Sequence, residues 1–379
     1  MLTRPRLCSL AAATAFTCAF LAVAEVPHAQ VRTGTVETAG KAAAQLYNET
    51  CAACHGNDGA GKDATALGFD VPTPDFTDCS FASREPDADW VTIAHEGGPA
   101  RGFSRHMPAF GGALGEDDLY KILGHVRTFC AEPAWPRGEL NLPRALHTEK
   151  AYPEDEAVMT LGFGRSPSSV SSEFVYEKRF GARNQIEFKL PFAAASTGEG
   201  QWLGGAGDLT FGFKRAFAHS LERGFIAAAA AEIILPTGDE SAGLSSGTPV
   251  FESFFSYGQI LPRDSFLQFQ GGVELPFDTE RAGREGFWRI AAGRTWTEQG
   301  PFGRAWSPMV EVLAARDLER GAVTHWDLVP QVQITLNTRQ HIMLNAGWRF
   351  PLNDRTGRSS RFLVYVLWDW FDGGLFDGW

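Results

Sequence analysis

The chain has 379 residues, 44% hydrophobic and 21% charged, with 29 Phe, 11 Trp and a formal net charge of −11. Moderate charge with this many aromatics argues for a packed chain over a disordered one, and the acidic balance argues against nucleic acid as a partner. Past the first thirty positions no run of about 20 apolar residues offers a membrane-spanning helix, and the length suits about two or three domains.

Arg4 and Arg6 precede an apolar stretch from Leu7 to Val23 that ends in Ala22-Val23-Ala24. Basic, apolar and small residues in that order predict a signal peptide over 1–24, cut before Glu25, and a mature chain outside the cytoplasm. A retained anchor helix is the alternative. Two of the six cysteines, Cys8 and Cys18, leave with such a signal; Cys51, Cys54, Cys79 and Cys130 remain, and none follows residue 130. Residues 131–156 hold Pro133, Pro136, Pro143 and Pro153 among many charges, which predicts a Pro-rich linker. It divides a cysteine-bearing domain over 40–130 from a cysteine-free, aromatic-rich half over 159–379.

The most specific motif is Cys51-Ala52-Ala53-Cys54-His55. Two thiols three positions apart can add to the two vinyl groups on one edge of a haem, and the adjacent imidazole then ligates the iron; this is the CxxCH pattern of covalent c-type haem attachment. Ala43, Leu46 and Tyr47 share one face of a predicted helix over Gly40 to Thr50 that runs into the motif. Gly56, Gly59 and Gly61 follow it and permit tight turns. From Glu116 to Phe129 an acidic start and an apolar face of Leu119, Ile122, Leu123, Val126 and Phe129 predict a closing amphipathic helix.

With these features residues 40–130 resemble a mono-haem class I cytochrome c. The resemblance implies an all-α domain with one covalent haem c, tethered by Cys51 and Cys54 and ligated by His55. Met107, in Met107-Pro108-Ala109-Phe110, resembles the family's distal ligand segment, with His106 and His95 as alternatives that would lower the potential. If Met107 were only a packed side chain, the open iron would suit peroxide chemistry. Cys79 and Cys130, left over in an oxidising compartment, pair as a disulfide or stay as two buried thiols. From Glu25 to Cys130 there are 15 acidic and 8 basic side chains, a balance that favours a basic redox partner or a cationic donor.

Past Val158 the period of the pattern becomes two. In Gln185-Ile186-Glu187-Phe188-Lys189-Leu190 apolar and polar residues alternate, as they do around Leu267 to Leu275, Val332 to Leu336, Ile342 to Phe350 and Phe362 to Trp370. Segments of about ten residues separated by Gly, Asp and Asn clusters suit a tilted membrane strand better than a sandwich strand. Nine of the eleven Trp lie in this half, as interfacial girdles require. The predicted fold is an antiparallel outer-membrane barrel of about 12 strands, at roughly 18 residues per strand and turn.

Gly205-Ala206-Gly207-Asp208-Leu209-Thr210-Phe211-Gly212-Phe213-Lys214 and Leu235-Pro236-Thr237-Gly238-Asp239 resemble outer-membrane proteins of the phenol-degradation meta-pathway type, which implies a channel or transporter. Trp379 departs from the usual barrel ending, because Phe371 to Gly378 break the alternation. A cytochrome domain roughly 30 Å across is too wide for such a barrel, so it must dock at a mouth, with the periplasmic side favoured. The whole resembles a fused cytochrome-porin. The implied function is an outer-membrane-anchored cytochrome that passes single electrons between a periplasmic redox protein and an extracellular donor or acceptor, with lipid around the barrel. The alternative is a channel for small apolar or aromatic compounds with an accessory cytochrome. No acid/base pair, nucleophile or phosphate loop stands out, so no catalytic residue is assigned.

Overall fold

A computed structural model describes residues 36–369, except 166–167, 198–199, 302–303, 337–340 and 355–357. The predicted signal peptide, the residues from Trp370 to Trp379 and part of the Asn353–Gly357 turn lie outside the described residues. None of the described helices is long and apolar enough to cross a membrane.

The N-terminal part is helical: α1 (Val36–Thr50), α2 (Ala52–His55), α3 (Ala64–Leu67), α4 (Cys79–Ala82), α5 (Asp87–Glu96) and α6 (Glu116–Val126). The two helices predicted at either end of this domain are α1 and α6, and they pack on each other. Leu119, Ile122, Leu123 and Val126 of α6 are buried with Tyr47 of α1, Ala52 of α2 and Val91 of α5. Tyr47 lies 5.3 Å, centroid to centroid, from both His125 and Phe129. Helix α5 follows Pro86 and carries Asp87 and Asp89 in its first turn, where the helix dipole favours negative charge.

Fourteen strands follow among the described residues. They are β1 (Glu156–Arg165), β2 (Ser168–Phe180), β3 (Asn184–Ser196), β4 (Trp202–Ala206), β5 (Leu209–Ser220), β6 (Phe225–Leu235) and β7 (Val250–Leu261). The chain continues through β8 (Ser265–Pro276), β9 (Glu285–Arg294), β10 (Trp296–Pro301), β11 (Ala305–Asp317), β12 (His325–Thr335), β13 (Ile342–Pro351) and β14 (Arg361–Asp369). All pairings are antiparallel. β14 returns to β1, from Glu156 opposite Asp369 to Gly164 opposite Arg361, and β9 pairs directly with β11. Short β4 and β10 hang from β3 and β11, so the closed ring has twelve strands.

The ring is polar inside and apolar outside. Met159, Leu161 and Phe163 alternate outward on β1, as do Phe211, Phe213 and Phe217 on β5, each at least 36% exposed. Facing inward and buried are Gln185, Glu187, Lys214, Glu232, Gln268, Gln270, Glu311 and Asn345. A barrel in water would have this polarity reversed.

The two ends of the ring differ. Connections 181–183, 221–224 and 262–264 are tight and share their end with the longer 295–304, which carries β10, whereas 236–249, 277–284 and 318–324 at the other end are all longer. Arg84 pairs with Asp155, Glu85 Oε1 lies 3.1 Å from His341 Nε2, and Arg183 Nε donates to the Ala134 carbonyl at 2.8 Å.

The Pro-rich segment over 131–156 joins the two parts, with Glu156 already in β1. It is not a solvated tether. Leu140, Leu142, Ala145, Thr148, Lys150, Tyr152, Glu154 and Asp155 are all buried; Thr148 and Glu154 bond to inward-facing Glu311 and Gln185, while Asp155 pairs with Arg84 and Lys178.

Candidate haem crevice and its docking loop

One turn of chain brings Cys51, Cys54 and His55 together. The Cys51 N–H donates to the Tyr47 carbonyl and the His55 N–H to the Cys51 carbonyl, so α1 continues through Cys51 into α2. The buried Tyr47 hydroxyl donates to the Gly56 carbonyl at 2.7 Å and ties the exit of the motif back to α1. Gly56, Gly59 and Gly61 all have positive φ, at 75°, 78° and 78°. At Gly59 a Cβ would meet Phe129 Cδ2 at 2.4 Å, so the loop after the motif closes directly on the end of the C-terminal helix.

The donor chemistry fits a covalently held haem. Both thiols are free and half-buried, and burial pushes the Cys51 thiol above its ordinary value. Burial also pulls the His55 imidazole down, so the ring is neutral and offers a lone pair. Its Nδ1 is buried without a hydrogen-bond partner, and the ring stacks on Phe76 at 4.8 Å. Phe76, Trp90 and Phe110 lie half-buried against the same apolar core as Cys51, the kind of apolar wall a macrocycle requires.

Met107 comes from a separate segment, folded onto the end of α5. Its carbonyl accepts from the Gly98 N–H at 3.0 Å and its N–H donates to the Ser104 carbonyl at 3.2 Å. A Cβ at Gly98 would lie 3.2 Å from Met107 Cβ. Both histidines that compete with it are engaged elsewhere. The His106 ring stacks on Phe69 at 4.2 Å with Nε2 3.2 Å from Asp70 Oδ1. His95 Nδ1 lies 2.6 Å from Glu96 Oε1, and the far side of its ring is against Gly111.

Cys79 and Cys130 form a disulfide, Cα to Cα 5.3 Å. It joins the start of α4 to the chain just past α6 and braces the loop 83–87, which sequence reading did not single out. From this loop Arg84 reaches Asp155, just ahead of β1, and Glu85 reaches His341, just ahead of β13. Arg127 holds it from behind, donating to the Ala82 and Glu85 carbonyls and to Asp87 Oδ1, with its guanidinium 4.1 Å from the Trp90 ring. An aromatic and cationic column therefore runs from His55 through Phe76 and Trp90 to the docking loop, with Phe76 and Trp90 5.3 Å apart. Charged residues whose partners lie this far along the chain leave no local pattern in the sequence.

Residues 38–126 match the family described as cytochrome c oxidase, cbb3-type, subunit III. No curated protein matches the chain. Among solved structures the chain is similar to an outer membrane channel from Pseudomonas putida F1, at 12% identity and TM-score 0.42, over 60% of this chain and 100% of that one. It is also similar to the NanC porin, at 8% identity and TM-score 0.41, over 56% and 100%. The beta domain of the Bordetella autotransporter BrkA matches at 13% identity and TM-score 0.36, over 57% and 97%. The chain thus carries a cytochrome c domain followed by a closed twelve-stranded β-barrel.

Proposed function

We propose that this protein is an outer-membrane c-type cytochrome that passes single electrons through one covalently bound haem c held at the periplasmic mouth of its barrel. The observation that carries this reading is the placement of Cys51, Cys54 and neutral His55 in a domain whose Arg84 meets Asp155 and whose Glu85 meets His341, ahead of a barrel with an apolar exterior.

Haem bound there supplies an iron that takes up and returns one electron. Cys51 and Cys54 would tether it, each thiol adding across a vinyl group with sulfur bonded to one carbon and the thiol hydrogen to the other. His55 would hold the iron through its lone pair and Met107 through its thioether, a pairing that would raise the potential above that of two imidazoles. Phe76, Trp90 and Phe110 exclude water. The excess of acidic side chains on the domain supports a basic redox protein or a cationic donor as partner.

The barrel's ends support the periplasmic side: in outer-membrane barrels the short turns are periplasmic and the long loops external, and Glu85 meets His341 at the end that carries the tight turns 181–183, 221–224 and 262–264. Fractionated membranes test the reading. A haem-stained band is expected in the outer membrane, migrating differently in unheated and boiled samples, with one haem per chain by pyridine haemochrome assay. A soluble haem band that ignores heating would sink the membrane half; a heat-shifted band without haem would sink the electron-transfer half.

A further inference from the structure

We propose that residues 140–155 form a plug that closes the barrel to solutes, so that the barrel acts as anchor and housing for the cytochrome and not as a diffusion channel. The proposal rests on the membrane reading above. A ring of twelve strands lies between eight, which side chains fill, and sixteen, which leave a water channel. Its lumen needs a filler or stays open.

The segment descends from Leu140, turns at His147 to Lys150 about midway along the strands, and climbs back to Asp155 at the same mouth. On this path it touches every strand of the ring. Its backbone N–H groups go to wall side chains: Leu146 to Gln331, Thr148 to Glu311, Glu149 to Gln270 and Glu154 to Gln185, at 2.6–3.1 Å. These are residues of β12, β11, β8 and β3. Irregular backbone deep in a membrane protein is tolerated when protein groups satisfy it in this way.

Charge matches between plug and wall. Glu156, Glu177 and Glu187 stand directly opposite one another on β1, β2 and β3, an arrangement that like charges disfavour. Arg144 of the plug pairs with Glu156 and Glu177, and Lys150 with Glu154 and Glu156. In return Lys189 of β3 takes Glu149 of the plug at 2.6 Å. Without the plug, Glu156 and Glu177 lose Arg144; without the wall, Arg144 and Glu149 lose these partners.

Shape matches as well, because the wall is small where the plug is large. Leu146 fills the space above Gly347 of β13, where a Cβ would come within 2.6 Å of it, and Leu142 lies against Gly258 of β7. Leu142 and Ala145 cluster with Phe266 of β8, Ala291 of β9 and Met309 of β11. Leu140 and Tyr152 cluster with Ala216 of β5 and Ile226 of β6. On β14, the Tyr365 hydroxyl donates to the Arg144 carbonyl at 2.6 Å.

Full-length holoprotein in planar bilayers should pass almost no ion current, while a variant with residues 141–150 replaced by Gly and Ser of equal length should conduct. Unmodified protein that conducts as well as the replaced variant overturns the plug, as does a replaced variant that keeps its heat-shifted band and stays closed. Ala145→Cys gives a reading that needs no membrane. In folded protein in detergent a maleimide should label this thiol at least about tenfold more slowly than in unfolded protein; equal rates overturn the plug. A protected thiol in a protein that does not enter bilayers would count against the membrane reading alone.

Discussion

Gly59 cannot carry a side chain without displacing the Phe129 ring, and its φ of 78° is one that L residues avoid. Gly59→Ala should therefore cost about 1–3 kcal/mol, read as a lower melting temperature of the holoprotein. At the ligand position, Met107→His should lower the midpoint potential while leaving haem attachment intact, because two imidazoles stabilise ferric iron more than an imidazole and a thioether. His106 and His95, held by Asp70 and Glu96, should change the potential little when replaced by Gln. Burial pulls the His125 imidazole below its ordinary value, so the unfolded chain takes up this proton before the folded one as pH falls. The stability owed to the neutral ring is complete above about pH 6.5 and is lost on acidification. Melting temperatures should fall between about pH 7 and 5, less steeply in His125→Gln. Cys51, Cys54 and His55 stand out in the sequence because covalent haem attachment demands a fixed local spacing. Arg84 and Glu85 do not, since their partners lie 71 and 256 residues away.

At the scale of elements, the Cys79–Cys130 disulfide spans 51 residues and holds α4 beside the end of α6. Replacing both cysteines by Ser should cost the cytochrome domain about 2–4 kcal/mol, and because the bridge braces the docking loop, the cost should come with faster proteolysis between Cys130 and Leu140. Haem attachment at Cys51 and Cys54 should survive. Helices α1 and α6 were readable from their apolar spacing, and the barrel strands from their period of two. Helix α5 was passed over because Asp87-Ala88-Asp89-Trp90 starts it with a weak apolar face, and its burial depends on Phe76 and α6. The burial of the Pro-rich linker over 131–156 leaves no sequence signal for a related reason. Its polar residues are buried against polar partners, and hydropathy registers only the residue, not the partner.

For the molecule as a whole, alternation along the strands says that each has two faces without saying which solvent each one meets. Ile186 and Phe188 against Gln185 and Glu187 would suit a sandwich as well as a membrane barrel. Closure of the ring decides the matter: with β14 paired to β1, the buried Gln185 and Glu187 face the lumen and Ile186, 49% exposed, faces out. Phe213, near the middle of β5 and 44% exposed, separates the two environments by experiment. On a lipid-facing surface near the bilayer midplane, Phe213→Lys should cost about 2–4 kcal/mol in urea unfolding from liposomes. On a surface facing water the same change would be close to neutral, since such a Lys stays hydrated. Glu187 lies on the opposite face of the wall beside Lys189, so Glu187→Gln reports on the polar lumen and not on lipid. A large cost at 213 that is absent when the same variant is unfolded from a small-micelle detergent would tie the apolar exterior to a bilayer.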